Sequence, residues 1–166
     1  MNDTIVTWSS SYSVGVKTID DQHKKLIKLT NKLFASCMAG NERVRLFKYS
    51  SNSIFLKVIH EAVDYVSYHF GAEEKIMEKV NYPEYMMHKQ EHSSFVHEIL
   101  GKVDEFKAGK NNAPLSFVHY LKDWVLQHIA VSDKKLGTYL LEMHKNGTLL
   151  QILKTKVGDA DHIQID

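Results

Sequence analysis

The sequence predicts an all-α fold, an up-down-up-down four-helix bundle with an extended N-terminal arm and a C-terminal extension. Three observations predict it. Apolar residues recur every three or four positions over long stretches, the period of a helix buried along one face. Only two prolines, Pro83 and Pro114, interrupt the chain. Turn signals fall between the periodic stretches, and no strand alternation, internal repeat or low-complexity tract competes with them.

Residues 1–18 read as an extended arm, with Trp8, Val14 and Val16 available to pack. The first helix starts after Asp20 or Asp21, both good N-terminal residues. It belongs with a face of Ile19, His23, Leu26, Thr30, Leu33 and Phe34 and stops before Gly40-Asn41. Residues 41–52 read as a long loop. The second helix begins in the cluster Ser50-Ser51-Asn52-Ser53, shows Phe55, Val58, Ile59, Ala62, Val66, His69, Glu73, Ile76 and Met77, and ends near Asn81. Pro83 suits the first turn of the third helix, whose stripe of Tyr85, His88, His92, Phe95, Val96, Ile99, Val103 and Phe106 runs until Gly109. Pro114 opens the fourth, with Phe117, Leu121, Trp124, Val125 and His128 inward. The bundle is assigned to residues 1–144 and a tail to 145–166, broken by Asn146-Gly147 and Gly158, where Leu149, Leu150, Ile152 and Leu153 form an apolar patch.

A chain of 166 residues with 43% hydrophobic residues can bury one real core, so a single compact domain is expected. The 21 basic and 20 acidic residues are mixed along it, which leaves no basic stripe for nucleic acid and no acidic tail. A lone Cys37 excludes an internal disulfide, and no apolar run approaches the roughly 20 residues of a membrane span. The start MNDTIVTWSS lacks the basic and apolar regions of a secretion signal, so a cytoplasmic protein without membrane partners is expected. Ten histidines outnumber the eight glycines, and histidine is the side chain most used for metals and near-neutral proton chemistry.

Helical spacing sorts these histidines. Residues four apart differ by about 40°, so His69 and Glu73, and likewise His88 and His92, each present two groups to one point. Glu74, rotated about 140° from His69, reads as a hydrated surface charge. In an up-down bundle, His23 and His88 near the starts of helices one and three lie at the same end as His69 and His128, toward the ends of helices two and four. His60, His97 and His119 sit nine residues from His69, His88 and His128, about 180° round, and should face solvent. His144 and His162 lie too far along the chain to join.

Five imidazoles and a carboxylate converging without partners would be costly. An unpaired buried polar group costs roughly 1–3 kcal/mol against about 5–15 kcal/mol of net stability. A divalent metal would satisfy them all. Five imidazoles exceed a four-coordinate zinc site, and a carboxylate can bridge two ions, so two metals fit better; nitrogen and oxygen ligands suit iron, with manganese, zinc and cobalt still open.

The motifs VGVKTIDDQHKKLI, YHFGAEEKIM, YPEYMMHKQEHSSF and LKDWVLQHIAVSDKK, from Trp8 to about Leu136, resemble the bacterial hemerythrins. The resemblance implies a non-heme di-iron centre (Fe2+/Fe3+) with a bridging oxo or hydroxo group. One iron would take His88, His92 and His128, the other His23 and His69, with Glu73 and Asp133 bridging. It implies reversible dioxygen binding at the open position of the second iron, in an apolar pocket of Leu26, Phe70, Trp124 and Ile129. Asp133 stands five residues after His128, about 140° round a regular helix, so a local irregularity between Ile129 and Asp133 is required if it is to face inward. The family often has an aromatic residue three places after that aspartate; Leu136 here removes one expected hydrogen bond. The resulting expectation is a carrier, store or sensor of dioxygen rather than an enzyme. The alternatives are a di-iron enzyme acting on peroxide or nitric oxide, for which Tyr68 and Ser132 are the nearest proton donors in sequence, and iron storage.

Overall fold

The structure, a computed structural model, describes residues 4–43, 48–108, 113–155 and 163–165. Helices α1 (Lys17–Arg43), α2 (Lys48–Lys79), α3 (Tyr85–Lys107) and α4 (Ala113–His128) form a bundle in which each packs on its neighbour in the chain and α4 returns to α1. One π turn, Ile129–Asp133, carries α4 into α5 (Lys134–Lys145), and α6 (Thr148–Thr155) folds back on α5. Among the described residues there is no strand, and no helix is long and apolar enough to cross a membrane.

All nine residues expected on the inner face of α2, from Phe55 to Met77, are buried. Two apolar layers result. The larger holds Leu26, Leu33, Phe55, Ile59, Val66, Phe70, Phe95, Ile99, Phe117 and Leu121. The smaller holds Val14, Val16, Ile19, Met77, Val80, Tyr82, Leu136, Leu140 and Leu149. On α1 the sequence passes from Ile19 to Leu26 across His23, and on α2 from Phe70 to Ile76 across Glu73, so a polar layer lies between two apolar ones.

The boundaries differ from expectation at several ends. Gly40-Asn41 does not stop α1, which continues to Arg43, and α2 starts at Lys48, before the serine cluster. A single glycine in a helix costs only about 1 kcal/mol, too little to end one alone. Of the expected 41–52 loop only 44–47 remain, and these lie outside the described residues. Pro83 precedes α3 rather than lying in its first turn. The reversal is built by Asn81, left-handed at φ 51°, with Tyr82 N–H donating to Met77 O at 2.9 Å and Asn81 N–H to Glu78 O at 3.3 Å. This pair of hydrogen bonds closes α2, and Tyr82 packs in the same layer as Met77.

The tail begins as α6, set off by Gly147 at φ 72°; Leu149 is buried in the smaller layer whereas Leu150 is exposed. Gly158 and His162 lie outside the described residues.

The arm is tied down by side chains. Asn31 accepts from Ile5 and Val6 N–H at 3.0 and 3.1 Å and donates to Val6 O at 2.8 Å, while the buried Asp20 accepts from Val14 N–H at 2.8 Å and the Ser13 hydroxyl at 2.5 Å. Val14 lies directly on Gly137 of α5, where a Cβ would stand 2.3 Å from Val14 O. A backbone atom cannot yield as a flexible side chain does. Gly137→Ala should therefore lever the arm off α5 and cost about 1–3 kcal/mol in urea denaturation, the range for overpacking a tight contact. An unchanged midpoint would show that the arm does not bear on α5.

Candidate metal centre

Six side chains from four helices, joined by one from the π turn, meet in the polar layer. Glu73, His88, His92 and His128 bring one ligand atom each to within 4.8 Å of one another, and so do His23, His69, Glu73 and Asp133. Glu73 belongs to both groups. All seven residues are buried, with His23, Glu73 and Asp133 fully so.

The irregularity required for Asp133 is present as the π turn. Bonding from residue i to i+5 widens the turn and brings residues five apart near one face, so Asp133 lies on the face of His128 although a regular helix would turn it away. Ser132 is buried beside it and donates to Glu91 at 2.6 Å, pointing away from the layer's centre.

The carboxylates sit between the groups. Asp133 Oδ1 is 3.2 Å from His88 Nε2 and 3.1 Å from His128 Nε2, while Oδ2 is 3.1 Å from His23 Nε2. Glu73 Oε2 is 3.4 Å from His92 Nε2, 3.7 Å from His88 Nε2 and 3.6 Å from His69 Nε2. Yet all four carboxylate oxygens, and both ring nitrogens of His23, lack a hydrogen bond. Atoms so close but misaligned with one another converge on common points between them, the arrangement of ligands around cations.

Electrostatics gives the same picture. Burial alone would raise the carboxyls of Glu73 and Asp133, and the charge of Asp133 adds to this at Glu73. The surrounding histidines outweigh this and hold both below the ordinary carboxylate range. Burial opposes a proton on His88, but Asp133 and Glu73 beside it push its pKa up to about 10; His128 is raised by the same carboxylates against its burial. His69 is governed by burial and falls to about 4. Two full negative charges thus draw positive charge into the layer. A divalent metal with nitrogen and oxygen ligands fits that demand better than protons do.

Three further residues hold the imidazoles. Gln22 Oε1 lies 2.9 Å from His69 Nδ1, Glu74 Oε1 3.1 Å from His92 Nδ1, and Glu91 Oε2 3.0 Å from His128 Nδ1. An acceptor at Nδ1 keeps the hydrogen there and leaves the Nε2 lone pair facing inward. Glu74 is therefore not the hydrated surface charge expected of it: its side chain is 23% exposed and turned to α3, where Lys89 also meets it at 3.2 Å. Its 140° offset from His69 faces the next helix rather than water. Helical spacing on α2 alone cannot reveal that.

Leu26, Phe70, Trp124 and Ile129 line one narrow cavity with Val66, Phe95 and Val125, and His69, His128 and Asp133 form its polar wall. Phe70 stacks on His92 at 3.7 Å between ring centres, and Trp124 on His128 at 4.4 Å. Tyr68 is exposed, and neither it nor Ser132 borders this cavity. Leu136 is fully buried among apolar side chains, and Tyr139, three residues on, donates to Val80 O at 3.3 Å instead. His60, His97, His119 and His144 are exposed.

Residues 14–140 match the profile of the hemerythrin HHE cation binding domain. The chain is 30% identical over 137 residues to a bacteriohemerythrin of Methylococcus capsulatus, covering 82% of this chain and 97% of that one. It is 32% identical over 128 residues to a hemerythrin-like protein of Naegleria gruberi, covering 77% and 87%. Among solved structures, a wild-type hemerythrin superposes with a TM-score of 0.68 at 28% identity, covering 81% of this chain and 97% of that one.

Proposed function

This chain belongs to the hemerythrin family, and on that premise we propose that it binds dioxygen reversibly at a non-heme di-iron centre, as a carrier, store or sensor and not as an enzyme. His88, His92 and His128 would hold one iron, His23 and His69 the other, with Glu73 and Asp133 bridging. When bound, the iron pair supplies the electrons and the open coordination position that dioxygen requires.

The observation that carries this reading is an asymmetry. Three imidazoles serve one side and two the other, which leaves the poorer side a ligand short, and the apolar cavity opens on the layer at His69 of that side as well as at His128 and Asp133. Leu26, Phe70 and Ile129 keep water out of that cavity, and the stacked Phe70 and Trp124 fix two ring planes. Gln22, Glu74 and Glu91 hold the Nδ1 protons on imidazoles that already use them. A carrier must keep spare protons from the bound gas, and neither Ser132 nor Tyr68 offers one to the cavity.

Metal analysis should find two iron ions per chain, one for each ligand group. Anaerobic reduction followed by air should then give a coloured form that bleaches when dioxygen is withdrawn. Rapid, irreversible passage to the ferric state would overturn reversible binding.

A further inference from the structure

A second cavity lies between α2, α3 and α4, outside the metal layer. Its mouth is at Ser67 and Leu100, the latter 53% exposed, and its floor includes the buried Ala62 and Ile99. Val66 and Phe95 line both this cavity and the one that reaches His69. The two spaces therefore stand back to back across two side chains. Ser67, at the mouth, is the one polar residue of the wall; its hydroxyl proton goes to Val63 O of its own helix at 3.0 Å, so no side-chain donor is left for water and only the Ser67 oxygen remains as an acceptor.

Apolar cavities of this kind stay dry and take up small apolar species such as xenon. Another opening, beside His128, mixes Gln90, Glu91, Ser94 and Gln127, which hold water, with Met87, Trp124 and Val131, whereas the α2/α3/α4 cavity has a single polar residue. We propose that the α2/α3/α4 cavity is a gas-holding site and the route by which dioxygen reaches the inner pocket, passing from Leu100 and Ser67 between Val66 and Phe95. The crossing requires the buried Val66 or Phe95 side chain to move aside, a motion slower than the rotation of an exposed side chain. The route rests on the dioxygen reading of the centre, whereas the gas-holding site does not.

Two variants outside the metal layer and inner pocket test it: Ala62→Leu, which fills the floor, and Leu100→Trp, which covers the mouth at an exposed position and is safe for folding. Xenon NMR of the purified protein should show saturable binding that Ala62→Leu abolishes. Stopped-flow mixing of the reduced protein with dioxygen should show association and dissociation slowed together by about tenfold in either variant, the factor of a modestly raised barrier, with affinity and visible spectrum unchanged. A route alters both rates equally, whereas damage to the site alters affinity. Nitric oxide, another small apolar gas, should associate with the reduced centre more slowly by the same factor. If dioxygen oxidises the centre irreversibly, the functional reading fails, and the nitric oxide rates still decide the route. Absence of xenon binding, or wild-type gas rates in the variants, overturns it.

Discussion

Stripping the metal with a chelator should lower the thermal midpoint by roughly 10–15 °C. The ligand-linked part of the stability is about 4 kcal/mol when free metal stands a thousandfold above its dissociation constant. In a domain of this size each kcal/mol moves the midpoint by about 2–4 °C. The structure says why the effect is large: the four carboxylate oxygens of Glu73 and Asp133 and the inward Nε2 of His23 are buried without a hydrogen bond, and cations between them would satisfy these five atoms together. Without the cations, protons on His88 and His128 are the available substitute.

That substitute has a pH dependence of definite sign. His88 is raised to about 10, so its contribution to the metal-free protein is fully present below its unfolded value, near 6.5, and is lost as pH rises toward 10. Metal binding runs the other way, because ligands must be deprotonated. The gap between metal-loaded and metal-free midpoints should therefore widen from pH 7 to pH 9. On the acid side His69, held near 4, must stay neutral in the fold while the unfolded chain takes a proton below about 6.5, so the metal-free protein also weakens as pH falls toward 4. Equal midpoints with and without metal between pH 7 and pH 9, where the ligands can bind, would mean that the layer is satisfied by the protein alone.

The inward-facing histidines were legible because each belongs to its own helix's periodicity. His23, His69, His88, His92 and His128 follow the apolar stripe, and a common end of the bundle brings them together. Asp133 came from the family resemblance and against the spacing: five residues from His128 is wrong for a regular helix, and the π turn resolves the conflict. Gln22, Glu74 and Glu91 were not legible, since each acts on a neighbouring helix. Gln22 of α1 holds His69 of α2, Glu74 of α2 holds His92 of α3, and Glu91 of α3 holds His128 of α4. The available signal was adjacency, because each stands one residue from an inward-facing group, about 100° round, and so faces the next helix. The succession ends at His23, whose Nδ1 has no partner. Helix ends were the weakest part, because Gly40 and Pro83 signal breaks whose outcome depends on packing.

Glu73→Gln should cost the protein both metal ions, whereas His23→Gln should cost one. Glu73 is the residue shared by the two ligand groups, and its Oε2 lies 3.4 Å from the inward Nε2 of His92 in one group and 3.6 Å from that of His69 in the other. The amide keeps the shape of the side chain but removes its charge and replaces one acceptor with a donor, so this side chain can no longer serve both ions and Asp133 is left as the one carboxylate among the ligands. His23 contributes to one group only, and its loss leaves His88, His92, His128 and Glu73 in place. Iron content should thus fall from two to one in His23→Gln and toward none in Glu73→Gln. Stability should follow the same order: Glu73→Gln, as purified, should melt near the chelated wild type and no longer respond to chelator, a loss of about 4 kcal/mol of linked stability. Circular dichroism before heating separates this from misfolding, since the apolar layers on either side of Glu73 are untouched. A Glu73→Gln protein that keeps two irons would remove the shared carboxylate from the centre, and with it the coupling of the two ions through one side chain.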